Sequence, residues 1–162
     1  KQTMEPLLRY VDVLIANEED ADKVLGIRAA DKDVESGRLN KAGYVSVARQ
    51  ICRTYAIPTV AITLRQSISA SDNRWSGLPY TGDTAYFSRE YAIHLVDRVG
   101  GGDSFGAGLL FALGHGMEPQ RCIEYAVAAS CLKQTMEWDV NLSTRQEIEA
   151  LADGNGTGRV QR

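Results

Sequence analysis

The sequence contains few of the residues that define disulfide-bonded, metal-binding or membrane proteins. Its 162 residues include three cysteines, Cys52, Cys122 and Cys131, which form no CxxC or other metal-ligand spacing, and an odd number cannot all pair within one chain. No stretch approaches the roughly 18 apolar residues needed to span a bilayer, and the opening Lys1-Gln2-Thr3-Met4 begins no secretory signal. These absences predict a cytoplasmic protein with reduced thiols and without a membrane partner.

The chain also lacks a large excess of either charge. It has 18 Lys and Arg residues against 21 Asp and Glu residues, a net charge of −3 and a pI near 5.4. A broad surface for the phosphate backbone is therefore not expected, and nucleic acid is excluded as a predicted partner. The two histidines, His94 and His115, have no paired ligand pattern and are interpreted as structural. With 44% hydrophobic and 24% charged residues, the composition is that of a folded globular protein.

Apolar runs and helical periodicities alternate along the chain, which predicts an α/β fold with a parallel sheet. Strands are predicted over 11–16, 59–64, 86–87 and 91–96, together with a β-hairpin whose turn is at 71–74. Helices are predicted up to Leu25 before Gly26, and over 40–55, 103–115, 119–135 and 144–152. The last helix has Ser143 and Gln146 at capping-box spacing. A polar loop over 31–38 and a flexible tail over 153–162 complete the prediction.

What the sequence does have is glycine concentrated in one place. Seven of the 15 glycines lie within residues 100–116: Gly100, Gly101, Gly102, Gly106, Gly108, Gly114 and Gly116. Three consecutive glycines before a helix remove every Cβ from the approach to its N-terminus, so free backbone N–H groups can converge on an anion. Asp103 is expected at or next to the N-cap, where the helix favours an ionised carboxylate. A carboxylate beside a phosphate site can take the proton from an attacking hydroxyl.

The alternative interpretation is a tight turn closed by an N-capping Asp103. Three glycines in a row are poor for ordinary packing, and Gly106 and Gly108 inside the helix cost roughly 1 kcal/mol each relative to alanine. A sequence tolerates these glycines when something must pass close to the helix. Other phosphate motifs are absent from the sequence, which has no GxxxxGK[ST] and no GxGxxG after a strand.

Residues 97–109 resemble the second signature of the ribokinase-like (phosphofructokinase B, PfkB) carbohydrate kinases. That signature is an Asp, two residues, a Gly/Ala-rich trio, the catalytic Asp and a small-residue helix start, and here it reads Asp97-Arg98-Val99-Gly100-Gly101-Gly102-Asp103. Arg98 is the departure, because the family usually has Thr, Ser, Pro or Val there. Together with residues 62–65 and the Gly-Arg-Val ending, the pattern is most similar to 2-keto-3-deoxygluconate kinases. The resemblance implies the C-terminal half of a ribokinase-like three-layer sandwich, with residues 1–152 as the ATP-side part of the kinase domain.

The resemblance places a kinase site on the glycine turn. Asp103 is then the catalytic base and contacts the sugar hydroxyl, while the amides of Gly100, Gly101, Gly102 and Asp103 form an anion hole for the transferred phosphoryl group. Gly100 and Gly102 also contact ATP. Asp139, in the loop over 138–141, is a polar contact to the substrate. A monovalent cation is often found beside this turn in the family and belongs to the same expectation.

A magnesium site is also implied by the resemblance. In the family an Asn-x-x-Glu motif helps to hold Mg²⁺ near the phosphates, generally through water, and here the matching positions are Asn17 and Asp20. Glu18 and Glu19 are alternative contributors. A hard cation bound by oxygens and water suits either arrangement, and the alternative is a helix start with acidic residues that suit the macrodipole.

The nucleotide strand of the family corresponds to residues 59–64 and the positions that follow. Thr63, Arg65 and Ser67 are the expected nucleotide contacts, with Arg65 able to reach a phosphate as a fork of donors. Arg65 is otherwise an exposed residue at the end of a strand. Residues 126–133 are expected to flank the adenine. Taken alone, Ala128, Ala129 and Ser130 look like small packing residues.

The predicted function is therefore ATP-dependent phosphorylation of a primary hydroxyl of a sugar or sugar acid, with 2-keto-3-deoxygluconate as the expected acceptor. The alternatives are a fructokinase or ribokinase type within the family, and a non-catalytic nucleotide-binding module. The expected partners are ATP, Mg²⁺, the sugar and the N-terminal half of the same enzyme, and the resemblance allows a homo-oligomer. We expect the chain to begin inside a helix before the strand at Val11, to leave an uncovered apolar sheet edge, and to be inactive alone.

Overall fold

The computed structural model describes residues 2–28 and 41–154, and it confirms a mixed α/β fold in which strands of a sheet are flanked by helices. The predicted loop over 31–38, the Gly-Arg-Val ending and most of the predicted tail lie outside these ranges. The chain divides into two compact units, one from Lys1–Gln66 and Gly77–Phe87 and the other from Ser67–Ser76 and Ser88–Arg162. Within the described ranges, no helix has the length and apolar character needed to cross a membrane.

The first unit begins with the strand and helices predicted near the start of the sequence. These are α1 (Glu5–Leu8), β1 (Val13–Ala16), α2 (Glu18–Asp20) with a π-helical turn (Ala21–Leu25), and α3 (Lys41–Tyr55). Gly26 ends the π-helical turn with a φ of 74°, as its position in the sequence predicts. Strand β2 (Thr59–Ser67) pairs in parallel with β1, so that Val13 lies opposite Thr59 and Ala16 opposite Ile62.

The core of the first unit lies between α3 and β2. Apolar residues of α3 recur every three or four positions, and those of β2 fill both of its faces, as expected for a strand of a parallel pair. The buried members include Ala48 and Ile51 of α3 with Val60, Ile62 and Leu64 of β2. At most 1% of each of these residues is exposed, so this cluster fixes the position of β2.

The hairpin that follows β2 is displaced from its predicted position. Its second strand is β3 (Asp72–Thr81), and the turn occupies residues 68–71, so the predicted turn at 71–74 is wrong. The reason is Ser69, whose Oγ accepts hydrogen bonds from the N–H groups of Ser71 and Asp72 at 3.1 and 2.9 Å. These bonds close the turn earlier than the Asn-containing segment would.

Two short strands complete the strand order β1-β2-β3-β4, with β5 also paired to β3. Strand β4 is Thr84–Ala85, so the strand predicted at 86–87 is two residues out of place. Gly82 and Asp83 both have positive φ, 55° and 60°, and form the two-residue turn between β3 and β4. Strand β5 (Tyr91–His94) covers the first four residues of the strand predicted over 91–96, and all four pair antiparallel with β3.

The second unit contains the three predicted C-terminal helices: α4 (Gly101–Gly114), α5 (Pro119–Gln134) and α6 (Arg145–Ala152). A Cβ on Gly108 would lie 3.1 Å from the Cα of Ala126, so α5 itself passes close to α4 at this glycine. The close approach to the helix that the sequence predicts is therefore made at Gly108 by another helix of the chain. Helix α6 has its capping box at Thr144 and Glu147, one residue later than predicted.

Candidate functional site

The glycine turn connects the end of β5 to α4 within the second unit. Gly100 is the N-cap residue of α4 and has φ 79° and ψ −3°, a left-handed conformation that residues with a Cβ rarely adopt. A Cβ at this position would also lie 2.1 Å from the backbone oxygen of Asp139. Gly100 is therefore required by the turn itself, before any ligand is considered.

Two amides in the first turn of α4 remain available to an anion, next to the N–H of Gly100, which also has no backbone acceptor among the described residues. The N–H of Gly101 donates to the carbonyl of Arg98 at 3.1 Å, and the N–H of Ser104 donates to the carbonyl of Gly100 at 2.9 Å. Among the described residues, no backbone acceptor binds the N–H groups of Gly102 and Asp103. Unpaired N–H groups in the first turn of a helix, with the positive end of its dipole, are suited to bind phosphate.

Asp103 lies in the first turn of α4, not at its N-cap. Because Gly100 is the N-cap, Asp103 is the third helical residue, and its side chain is exposed. A carboxylate in a first helical turn is stabilised by the macrodipole. The alternative interpretation, in which Asp103 closes the turn by capping α4, is excluded because Gly100 holds that position.

The second and third glycines differ in what surrounds them. A Cβ on Gly101 would lie 3.1 Å from the Cγ of Gln134, whereas a Cβ on Gly102 would meet nothing within 4 Å. Gly102 is exposed, and its conformation is not left-handed. Neither the packing nor the backbone of the described residues requires a glycine there, so the space next to Gly102 is open to a ligand.

Buried polar side chains of α5 hold the turn from behind, and sequence reasoning missed them. The Oγ of Ser130 donates to the carbonyl of Gly101 at 2.8 Å. The Nε2 of Gln134 donates to the Oγ of Ser130 at 3.3 Å, and a Cβ on Gly101 would lie 3.1 Å from the Cγ of Gln134. Lys133, between them, is completely buried. These polar residues lie in a buried segment of α5 whose other members are apolar. Composition alone does not show that they are buried.

Asn17 and Asp20, the expected magnesium residues, form a reciprocal cap in the first unit. The Oδ2 of Asp20 accepts from the N–H of Asn17 at 3.0 Å, and the Oδ1 of Asn17 accepts from the N–H of Asp20 at 2.9 Å. Glu19 pairs with Lys23 at 2.8 Å, and this hydrogen bond lowers the pKa of Glu19. The described ranges contain no group of three His, Cys, Asp or Glu side chains that could hold a metal ion.

The expected nucleotide residues lie on β2. Arg65 is exposed, and it lies within the strand because β2 continues to Ser67, rather than in a loop after residue 64. Thr63 and Arg65 occupy alternate positions in the first unit and therefore face the same side of the strand. Ser67 is the exposed last residue of β2. Residues 126–133, expected beside the adenine, are all buried in α5.

Asp139 lies beside the glycine turn. Its carbonyl faces Gly100, and its side chain is exposed next to Trp138, which has a φ of 67°. The cysteines have no place in the site, since Cys131 and Cys122 are buried in α5 and burial raises the pKa of both thiols. Burial also raises the pKa of Cys52 in the first unit, so all three thiols are stabilised in the protonated form.

The sequence and the structure of this chain are similar to those of known proteins over nearly its whole length. The model of the pfkB family of carbohydrate kinases matches residues 1–137. A 2-dehydro-3-deoxygalactonokinase of Haloferax volcanii is 26% identical over 158 residues, which are 98% of this chain and 43% of that protein. The crystal structure of 2-dehydro-3-deoxygluconokinase from Thermotoga maritima is 46% identical, with a TM-score of 0.86 over 94% of this chain and 44% of the other.

A third likeness shows the fold alone. An Escherichia coli protein described as a ribokinase II, solved in complex with ATP and Mg²⁺, is 16% identical, with a TM-score of 0.65 over 94% of this chain and 42% of its own. The chain spans less than half the length of these three proteins, 43%, 44% and 42%. The ribokinase-like fold predicted from the glycine signature is confirmed, and the family match includes the turn and Asp103. The chain therefore belongs to the pfkB family of carbohydrate kinases.

Proposed function

We propose that this chain carries the phosphoryl-transfer centre of an ATP-dependent sugar kinase. The observation that supports the proposal most directly is the pairing of an exposed Asp103 with two unpaired amides in the same helical turn. A helix N-terminus neutralises an anion without side-chain charge, and the carboxylate has no structural function as a cap. Nucleotide binding alone gains nothing from a carboxylate next to phosphate, so the pairing favours catalysis over a binding module.

The chemistry follows from these groups. Asp103 takes the proton of a sugar hydroxyl, the hydroxyl oxygen attacks the γ-phosphorus of ATP, and ADP leaves with the electrons of the broken bond. The amides of Gly102 and Asp103 donate to the oxygens of the transferred phosphoryl group, where negative charge has to be stabilised. Gly100 and Gly101 contribute through their backbone, which sets the direction of these amides.

A magnesium ion is compatible with the donors on the first unit. Asp20 uses Oδ2 in its cap with Asn17, and among the described residues no donor binds its Oδ1. An exposed carboxylate oxygen beside an amide oxygen suits a hydrated Mg²⁺, which keeps several of its waters. When bound, the ion would neutralise charge on the ATP phosphates. Thr63, Arg65 and Ser67 remain the proposed nucleotide contacts.

For the acceptor we propose 2-keto-3-deoxygluconate, phosphorylated on its 6-hydroxyl. The likeness to a kinase of that compound, at 46% identity, supports this choice over fructose or ribose. The relative from Haloferax volcanii is described as a 2-dehydro-3-deoxygalactonokinase. The discriminating measurement is therefore kcat/KM of the complete enzyme for 2-keto-3-deoxygluconate, 2-keto-3-deoxygalactonate, fructose and ribose. A preference for fructose or ribose would contradict the proposed acceptor.

The general-base assignment is tested by Asp103→Asn in the complete enzyme. We expect kcat at saturating ATP and sugar to fall by about 10²–10⁴-fold, because the amide cannot accept the proton. Glu118→Gln is the matched control, since it removes an exposed carboxylate from the N-cap of α5, where the side chain makes no cap hydrogen bond. A kcat of Asp103→Asn within about tenfold of wild type would remove the general-base role.

The proposal also requires the part of the enzyme that this chain does not include. The chain spans 44% of the Thermotoga maritima protein, and β1 stands at the end of the strand order with Ile15 36% exposed. We expect the 162-residue chain alone to release no ADP from ATP and sugar. Phosphorylation by the purified chain without a second polypeptide would contradict this requirement.

A further inference from the structure

We propose that Lys133 is a built-in cation that holds the phosphate-binding turn, in place of a bound monovalent ion. The inference rests on the proposed function of the turn but concerns a residue outside it. Lys133 is the penultimate residue of α5, and 0% of it is exposed. Lysine is almost never fully buried unless its charge is paired, so its position needs a specific explanation.

The contacts of Lys133 are backbone carbonyls. Its Nζ donates to the carbonyl of Asp97 and to that of Met136, each at 3.5 Å. No ion pair links it to a carboxylate in the part of the chain that the structure describes. A buried ammonium without a counter-ion is costly. Its position in the last turn of α5 offsets part of this cost, because the negative end of the helix dipole favours a cation.

The two carbonyls belong to the segments on either side of the turn. Asp97 precedes the glycines, and its Oδ1 accepts from the N–H of Val99 at 2.9 Å. Met136 begins the loop that reaches Asp139, whose carbonyl covers Gly100. Lys133 therefore joins the start of the turn to the loop that covers it.

The stem of Lys133 also shapes the turn. A Cβ on Gly100 would lie 3.2 Å from the Cε of Lys133, so this methylene group lies directly against the N-cap residue of α4. The neighbouring Ser130 holds the carbonyl of Gly101 from the same helix. The last two turns of α5 thus determine the orientation of the amides that we assign to the anion, and Lys133 adds a positive charge behind them.

These contacts do not fit a monovalent cation at the same place. Backbone carbonyls are the ligands with which proteins replace the water around K⁺, and here the carbonyls of Asp97 and Met136 already accept hydrogen bonds from Nζ. An ammonium group carries the same charge as K⁺ and directs three donors at such oxygens. The cation that the resemblance leads one to expect is therefore supplied by the chain itself.

The inference predicts that the complete enzyme needs no added monovalent ion. Its kcat should agree within about twofold in KCl and in choline chloride at equal ionic strength, since choline is too large to replace K⁺ among backbone carbonyls. Two substitutions then separate charge from packing. Lys133→Met keeps most of the volume without the charge, and Lys133→Ala leaves a cavity that an ion can enter.

We expect both variants to lose about 10- to 100-fold in kcat in choline chloride, less than the loss of a donor that touches the phosphoryl group. K⁺ or NH₄⁺ should restore most of the loss in Lys133→Ala and none in Lys133→Met. Arg121→Met is the matched control, because it removes a positive charge near the other end of α5, where Arg121 pairs with Asp153. Its kcat should stay at the wild-type value.

A thermal measurement tests the inference without turnover. The melting temperature of Lys133→Ala should rise in KCl relative to choline chloride, while those of wild type and Arg121→Met should be the same in both salts. A wild-type kcat that falls more than tenfold in choline, or a Lys133→Met variant with unchanged kcat, would overturn the inference. A Lys133→Ala variant with the same melting temperature in KCl and in choline chloride would also overturn it. If wild type phosphorylates no sugar, the proposed function fails, and the thermal comparison still decides the question about Lys133.

Discussion

Gly102→Ala should change the unfolding free energy and the kcat/KM of the complete enzyme in opposite directions. A Cβ on Gly102 meets nothing within 4 Å, and the residue lies in the first turn of α4 with no left-handed φ. Alanine is favoured over glycine in a helix by up to about 1 kcal/mol, so we expect unfolding of the complete enzyme to require about 0.5–1 kcal/mol more. The same methyl group occupies the space in which an anion would approach the amides of Gly102 and Asp103.

We therefore expect kcat/KM of Gly102→Ala to fall by about 10²-fold, the lower end of the effect of losing one oxyanion donor. Gly114→Ala is the matched control, because Gly114 ends the same helix and its Cβ would also meet nothing within 4 Å. It should gain stability by a similar amount and keep wild-type turnover. Thermal unfolding and a coupled assay of ADP release on the complete enzyme measure the two quantities.

Gly100→Ala gives the opposite pattern and completes the comparison. Its φ of 79° costs alanine about 1–2 kcal/mol, and the added Cβ would lie 2.1 Å from the carbonyl oxygen of Asp139. Stability and turnover should fall together in this variant. If Gly102→Ala keeps kcat/KM within about threefold of wild type, no phosphate approaches that amide, and the argument from the open space at Gly102 is refuted.

Three further predictions concern the second unit. Gly108→Val should lower the unfolding free energy by about 1–3 kcal/mol, because its Cβ would lie 3.1 Å from the backbone of Ala126. An unfolding free energy in urea equal to that of wild type would contradict this packing. Burial raises the pKa of Tyr91 from 10.0 to about 12, because the folded protein disfavours the charged phenolate. The contribution of Tyr91 to the free energy of unfolding is therefore complete below pH 10 and is lost as the pH rises to about 12. Tyr91→Phe should lack that alkaline loss in melting temperatures measured from pH 9 to 12. Thr144→Ala should cost about 1 kcal/mol through its lost cap, whereas Ser143→Ala, the predicted cap, should cost less in the same thermal assay.

The order of helices and strands could be predicted because most of it follows from local patterns. Apolar spacing of three and four residues identified α3, and the β-branched run over 59–64 identified most of β2. Errors occurred where side chains compete for backbone groups. Ser69 closes the hairpin early, and Thr144 rather than Ser143 caps α6, because neighbouring hydroxyls look alike in a sequence.

The glycine signature also shows where such prediction ends. Gly100, Gly101 and Gly102 are equivalent letters, yet one is required by its φ and by the Asp139 carbonyl, one lies against Gln134, and one faces open space. These differences depend on segments more than 30 positions away along the chain. No local pattern carries that information, since it arises only when α5 and its following loop pack behind α4.

The sequence by itself determined which chemical groups are available. An acidic residue follows three glycines at the start of a helix, and backbone freedom together with the helix dipole makes such a turn suited to an anion. It also determined the family, because that signature is short and specific. Tertiary structure decided which amides are free, that Asp103 does not cap α4, and that Lys133 is buried against the turn. The physical reason is that hydrogen-bond partners and burial are set by residues distant in sequence, and only folding brings them together.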